Sequence, residues 1–124
     1  MARKQSPALT DAESEVMAVL WRLRRASVSD VAAALNETRT VTYSTVQTML
    51  RILEKKRYVT HHKVARAFLY EPVVDERQAR RRALRHLVGR LFEGSPSLLV
   101  LNVLEDEELE PTEREQLRKL IERA

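Results

Sequence analysis

Apolar residues recur at helical spacing in three short segments that follow one another closely in the first half of the chain. The first segment begins at Thr10, where Glu13 completes a capping box, and the second follows a start signal at residues 27–29. The third follows Thr42 and has an apolar stripe formed by Val46, Met49, Leu50 and Leu53. Because helices this short are stable only when they pack together, the pattern predicts a compact unit of three helices.

The pattern changes after the third helix. Residues 58–64 and 67–70 are rich in β-branched and aromatic side chains, a polar break at Ala65 and Arg66 separates them, and Pro72 ends the second run. This predicts a two-stranded hairpin. Three short helices followed by a hairpin is the order of a winged helix-turn-helix domain, which we expect over residues 1–74. With only 2 Gly and 4 Pro in the chain, an all-β fold is disfavoured.

The remaining residues, 75–124, predict three more helices, so the expected fold class is mainly α. The first starts at Asp75 and stops at Gly94, and the last opens at Pro111. The middle one opens at residues 95–96 and is apolar on nearly every side, with Asn102 as its polar exception. A helix that is apolar all round has to be buried all round, and a lobe of about fifty residues rarely supplies enough core by itself.

A second copy of the chain is the simplest cover for this helix, so we expect residues 75–124 to be a dimerisation lobe of a homodimer. The residues expected at the dimer interface are all leucines. They are Leu84, Leu87, Leu91, Leu98, Leu99, Leu101, Leu104, Leu117 and Leu120.

Positive charge is concentrated between Arg39 and Arg66, where seven Lys or Arg residues accompany a single acid, Glu54. This excess favours a polyanionic partner. The face of the third helix opposite its apolar stripe carries hydroxyl, amide and guanidinium groups and no carboxylate, which suits base edges and phosphates. The expected DNA-binding residues are Thr42, Ser44, Thr45, Gln47, Thr48, Arg51, Lys55 and, at the hairpin tip, Arg66. Lys56 and Arg57 are expected to continue this basic surface.

Several classes of protein are excluded by what the chain lacks. It has no Cys, hence no disulfide scaffold or thiolate metal site, and this suits a reducing cytoplasm. His61 and His62 are neighbours on a predicted strand and point to opposite faces, so we expect no metal site. No nucleophile triad or phosphate-binding glycine loop is present, so we expect no enzyme, cofactor or small-molecule substrate.

No apolar run approaches the roughly 18 residues of a membrane span, so we expect a cytoplasmic protein. Residues 1–8 predict a short disordered arm.

Three segments resemble the BlaI/MecI family of bacterial penicillinase repressors. They are residues 9–21 (LTDAESEVMAVLW), 42–56 (TYSTVQTMLRILEKK) and 97–105 (SLLVLNVLE). The resemblance implies a homodimeric winged-helix repressor of palindromic operators of the TACA/TGTA type, which in the family control β-lactam resistance genes. By position, Ser44, Thr45 and Thr48 match the family's DNA contacts and Arg66 matches its wing.

The resemblance also implies that repression is relieved when a membrane sensor-protease leads to cleavage after an asparagine in the dimerisation lobe. The matching bond joins Asn102 to Val103. The chain departs from the family's usual pattern here, because Val103 stands where Phe is common. It departs again at Arg57, which replaces the glycine that usually ends the recognition helix.

Two alternatives stay open on the sequence. A winged fold can serve as a protein-interaction module without binding DNA. A repressor of this family can also control an operon unrelated to β-lactams. A steep loss of DNA affinity with salt separates the first alternative from a repressor, and gene neighbourhood separates the second.

Overall fold

The computed structural model describes residues 8–124, so the arm predicted over residues 1–8 lies, apart from Ala8, outside the described residues. The predicted fold class is confirmed: a winged helix-turn-helix is followed by three helices. The elements are α1 (Asp11–Leu23), β1 (Ala26–Ser27), α2 (Val28–Leu35), α3 (Tyr43–Lys55), β2 (Val59–Val64), β3 (Ala67–Pro72), α4 (Glu76–Leu91), α5 (Pro96–Leu104) and α6 (Pro111–Arg123).

The first three helices begin where their capping residues predict. In α1 the Thr10 hydroxyl accepts the Glu13 amide at 3.1 Å, and a Glu13 carboxylate oxygen accepts the Thr10 amide at 2.9 Å. Ser27 and Asp30 form the same reciprocal box at the start of α2. At α3 the Thr42 hydroxyl accepts the Thr45 amide. Each box satisfies amide groups that the first helical turn leaves without partners, which fixes the start of the helix locally.

The core of the first unit lies between α1, α2 and α3. The stripe predicted on α3 is buried in full, and it packs in one cluster with Val16 and Leu20 of α1 and Val31 of α2. Burying this stripe turns the opposite face of α3 toward solvent. The helix is therefore held by its apolar face, and its polar face is available to a partner.

The sheet has three antiparallel strands in the order β1-β3-β2, and β1 was not predicted. It consists of two residues, Ala26 opposite Tyr70 and Ser27 opposite Leu69. A strand of two residues is too short to show an alternation of polar and apolar side chains in the sequence. Only its hydrogen-bonded pairing with β3 identifies it as a strand. Beyond these pairs β2 and β3 continue as a two-stranded ribbon to the turn at Ala65, whose φ is 56°. We call this hairpin, residues 59–72, the wing.

Arg57 ends α3 in the left-handed backbone region, with φ of 66°. Its amide donates to the Glu54 carbonyl at 3.0 Å, and the Tyr58 amide donates to the Leu53 carbonyl at 2.9 Å. This pair of hydrogen bonds is the Schellman motif, which favours glycine at the position that Arg57 occupies. Tyr58 and Leu53 are both buried, as the motif's apolar contact requires.

We expect Arg57→Gly to raise the free energy of unfolding by about 1 kcal/mol, because glycine adopts a positive φ without the steric penalty of a Cβ atom. Urea unfolding followed by circular dichroism measures the change. Arg57→Ala is the matched control, since it removes the same charge but keeps the Cβ atom. Equal stabilities of the two variants would show that the left-handed conformation carries no penalty here.

The chain divides into two compact units, the first ending at Ala83 and the second beginning at Leu84. The division falls inside α4, whereas the boundary predicted from the sequence lies between residues 74 and 75. The first turns of α4 belong to the first unit because Ala79 is buried in its core, as is Val74 just before the helix.

The second unit comprises the end of α4 with α5 and α6, and it leaves much apolar surface exposed. In the single chain α5 is not enclosed: none of its residues is buried, and Leu101 is 50% exposed. Within residues 84–124 Val88 is the one buried residue, and it is still 8% exposed. Three short helices provide too few apolar contacts to enclose a helix that lacks a polar face.

Among residues 8–124 no single helix is long and apolar enough to cross a membrane. Helices α4 and α5 together reach that length and composition, but they are bent by 91° at the break between them.

Candidate nucleic-acid interface

The exposed face of α3 presents hydroxyl groups whose orientation is fixed by local hydrogen bonds. The Thr42 hydroxyl donates to the Thr45 hydroxyl at 2.8 Å while accepting the Thr45 amide at 3.2 Å, and it lies 3.3 Å from the Ser44 hydroxyl. The Thr48 hydroxyl donates to the Ser44 carbonyl at 3.0 Å. With its proton engaged, the Thr48 oxygen is left as an acceptor. This face can therefore accept hydrogen bonds from amino groups on base edges.

Cations extend this face toward the end of α3 and across to the wing. Arg51, Lys55 and Arg66 are exposed, and none forms an ion pair within residues 8–124. Of the other predicted DNA-binding residues, Thr42, Ser44, Thr45 and Thr48 are exposed and Gln47 is half-buried. Unpaired and solvated cations of this kind suit phosphate groups, which they contact without losing an internal partner.

A groove of about 420 Å³ separates α3 from the wing. Gln47 and Tyr43 line it from α3, and Arg66 and Phe68 line it from the wing. The fold thus places two predicted DNA-binding residues, Gln47 and Arg66, on opposite walls of one groove. Tyr43 and Phe68 are both about half exposed and were missed by the sequence reasoning. The sequence signal that could have identified them is an aromatic residue in the first turn of α3 and a second aromatic residue next to the hairpin turn.

Lys56 does not belong to the basic surface, contrary to the expectation from the sequence. Its ammonium group lies 2.7 Å from a Glu13 carboxylate oxygen and 3.0 Å from the Ala8 carbonyl, and the two side chains are only 7% and 6% exposed. The same Glu13 oxygen accepts the Thr10 amide of the capping box. The neighbouring Lys55 is exposed, because successive helical residues point about 100° apart. Lys56 therefore joins the end of α3 to the start of α1.

Glu54, the single acid in this basic region, is paired with the wing. Its two carboxylate oxygens both lie 2.8 Å from Nδ1 of His61 on β2. The His61 ring packs edge-on against Phe68 and tilted against Tyr70, at centroid distances of 5.1 and 5.3 Å. Burial raises the pKa of the Tyr70 hydroxyl, the Glu54 carboxylate adds to that rise, and Arg51 opposes it.

His62 makes a separate contact, with Glu71 on β3 at 2.9 Å. The two histidines therefore have different partners, as alternation along a strand requires. No group of three or more His, Asp or Glu residues within residues 8–124 has the arrangement of a metal site.

The residues predicted for dimerisation lie in two exposure classes. Leu84, Leu87, Leu91, Leu101 and Leu120 are exposed, and Leu98, Leu99, Leu104 and Leu117 are half-buried. Some of them line two apolar grooves of about 410 and 420 Å³, the first between α4 and α5 and the second between α5 and α6.

The predicted cleavage bond lies within α5. Asn102 and Val103 are both exposed, and the Asn102 side-chain amide donates to the Leu98 carbonyl at 2.7 Å.

Comparison with known proteins gives concordant matches. The model of the family named "Penicillinase repressor" matches residues 9–123. The chain is 35% identical over 119 residues to the penicillinase repressor of Bacillus licheniformis, covering 96% of this chain and 93% of that protein. It is 27% identical over 113 residues to the methicillin resistance regulatory protein MecI of Mammaliicoccus sciuri, covering 91% and 92%.

Two solution structures resemble the first part of the chain. One is the DNA-binding domain of the repressor BlaI, with a TM-score of 0.52 and 42% identity over 60% of this chain and 90% of that one. The other is the monomeric form of Bacillus licheniformis BlaI in complex with the blaP half-operator, with a TM-score of 0.51 and 41% identity over 61% and 93%.

Proposed function

The chain belongs to the penicillinase repressor family, a family of transcriptional repressors rather than enzymes, and we propose that it represses transcription by binding operator DNA through its first unit. The observation that carries the proposal is the polar face of α3. Its hydroxyls and unpaired cations face solvent beside the wing, while its apolar stripe is buried. A relative at 41% identity binds a half-operator as a monomer, which supports DNA contact by one winged-helix unit.

In this mechanism α3 enters the major groove. The hydroxyls of Ser44, Thr45 and Thr48 face base edges, where their hydrogen bonds contribute sequence preference. Arg51 and Lys55 neutralise phosphates along the same groove, and Arg66 on the wing contacts the adjacent backbone. The Glu54 carboxylate, which would repel phosphate, is held by His61.

We also propose that the protein acts as a homodimer on a palindromic operator of the TACA/TGTA type. The apolar surface of the second unit supports a dimer, because Leu91, Leu101 and Leu120 are each at least half exposed in the single chain. Exposed apolar patches of this kind mark association surfaces. A symmetric dimer would present two copies of α3 to two half-sites of one duplex.

We further propose that cleavage between Asn102 and Val103 relieves repression, through a membrane sensor-protease that responds to β-lactams. The bond is exposed but helical, so α5 has to unwind before a protease can bind it in extended form. Cleavage would separate α6 from the rest of the second unit, and the dimer would lose much of its apolar surface.

Operator binding is tested by titrating salt in a binding assay with a palindromic TACA/TGTA duplex. Each neutralised phosphate makes the log–log slope of affinity against salt about 0.9 more negative, so the three cations of each protomer predict a slope of about −2.7 for a single chain and about −5 for the proposed dimer. A slope near zero would instead indicate a protein-interaction module.

The roles of individual residues separate in the same assay. Thr48→Ala is expected to weaken operator binding about tenfold with little change for unrelated DNA, because it removes a base-edge contact. Lys55→Ala is expected to weaken binding to both duplexes alike and to make the salt slope of the proposed dimer less steep by about two, since the dimer carries two copies of Lys55. If Thr48→Ala weakened binding to both duplexes equally, Thr48 would not be a base-reading residue.

A further inference from the structure

The outer part of the wing has few contacts that fix its position. β1 pairs only with Tyr70 and Leu69, so the ribbon beyond them, including Val64, Ala67 and Phe68, has no third strand and is exposed. A two-stranded ribbon by itself is marginally stable in water. The direction in which its tip points therefore depends on contacts near its base.

The Glu54–His61 pair supplies such a contact. Glu54 projects from α3 and His61 from β2, and both oxygens of the carboxylate lie 2.8 Å from the imidazole nitrogen. No other side-chain hydrogen bond joins α3 to β2 or β3 within residues 8–124. The imidazole is also wedged against Phe68 and Tyr70, so its position is restricted from the β3 side as well.

We propose that Glu54 and His61 are positioning residues for operator binding: their pair fixes the wing relative to α3 and so places Arg66 against the DNA backbone. This inference rests on the proposed function. It adds that His61 affects DNA affinity indirectly, by holding Arg66 in position. Four residues separate His61 from Arg66, which lies in the turn beyond the end of β2. The three steps from His61 to the last residue of β2 already cover about 10 Å at about 3.3 Å per residue, so we expect no contact between the two side chains.

This arrangement predicts that the contributions of His61 and Arg66 to DNA affinity are coupled, although their side chains are not expected to touch. If the pair positions the wing, Arg66 contributes to affinity only while the pair is intact. If His61 contacted phosphate directly, its contribution and that of Arg66 would be independent and additive.

The experiment is a double-mutant cycle with the full chain and the palindromic TACA/TGTA duplex. Arg66→Ala is expected to weaken binding about tenfold in the wild-type background, as for a lost charge-assisted contact. In the His61→Ala background the same substitution is expected to weaken it about twofold or less. Glu54→Ala should reproduce the effect of His61→Ala on this coupling, and it leaves the wing strands unaltered should His61→Ala impair folding.

Removing Glu54 also removes a negative charge near the DNA, so the readout is the coupling to Arg66 rather than affinity alone. His62→Ala is the matched control, because it removes the same side chain type from the next position of β2, where the partner is Glu71. In that background the full effect of Arg66→Ala should be retained. Additive effects of His61→Ala and Arg66→Ala would overturn the inference while wild-type operator binding persists. Absence of operator binding by the wild type would overturn the proposed function itself.

Discussion

Replacing Leu101 with aspartate is expected to convert the proposed dimer into single chains and to weaken binding to a palindromic operator about 100-fold. Leu101 is half exposed on α5 and lines the apolar groove between α5 and α6. A charge placed there opposes burial against a second copy. Two linked winged-helix units bind more tightly than one, because once the first is bound the second is held near its half-site at a high effective concentration. Single chains lose that gain in affinity.

Sedimentation measures the oligomeric state, and binding to full and half operators measures the consequence. Half-operator affinity should stay unchanged, because the first unit is intact. Lys119→Asp is the control, since it places the same side chain at another exposed position of the second unit. A Leu101→Asp protein that stays dimeric would contradict the proposed interface, and equal losses on full and half operators would indicate damage to the first unit.

A chain truncated after Asn102 extends the same prediction to the proposed cleavage. It lacks α6 and the last residues of α5, so it should match Leu101→Asp in both assays. A truncated chain that keeps full operator affinity would contradict relief of repression by this cut.

Replacing Lys56 with methionine is expected to lower the free energy of unfolding by about 3 kcal/mol, the second large effect. Methionine fills the space of the lysine stem but leaves the Glu13 carboxylate buried without its cation, and the hydrogen bond from Lys56 Nζ to the Ala8 carbonyl is lost. Removing one partner of a buried ion pair is costly because the remaining charge has lost both water and its counterion.

Urea unfolding measures this loss, and Lys55→Met is the matched control. Lys55 is the adjacent exposed lysine, so its substitution should change stability by less than about 0.5 kcal/mol. In DNA binding the larger effect should come from Lys55→Met, which makes the salt dependence of the affinity less steep. Folded Lys56→Met should keep the salt dependence of the wild type. The double variant Glu13→Leu, Lys56→Met should recover part of the stability, since an apolar pair leaves no buried charge. Equal stability of the two single variants would mean that Lys56 is solvated.

Much of the first unit could be predicted from the sequence because its signals are local. Thr10 and Glu13, or Ser27 and Asp30, form their capping hydrogen bonds across three residues. The stripe of α3 repeats within the helix itself, so its polar face follows from the same few residues. That is why the hydroxyls of Ser44 and Thr48 could be assigned to a solvent-facing surface.

The tertiary structure decided what depends on residues far apart in the chain. Lys55 and Lys56 are identical neighbours in the sequence, and only the position of Glu13, 43 residues earlier, makes one of them internal. β1 likewise exists only through its pairing with β3, more than forty residues later. Glu54 and His61 are only seven residues apart, but they are paired because the chain turns back after α3 and places β2 beside the helix. Local hydrogen bonds and periodicity determine where helices begin and which face is polar. Which charges are paired depends on packing that brings separate segments together, and no short stretch of sequence carries that information.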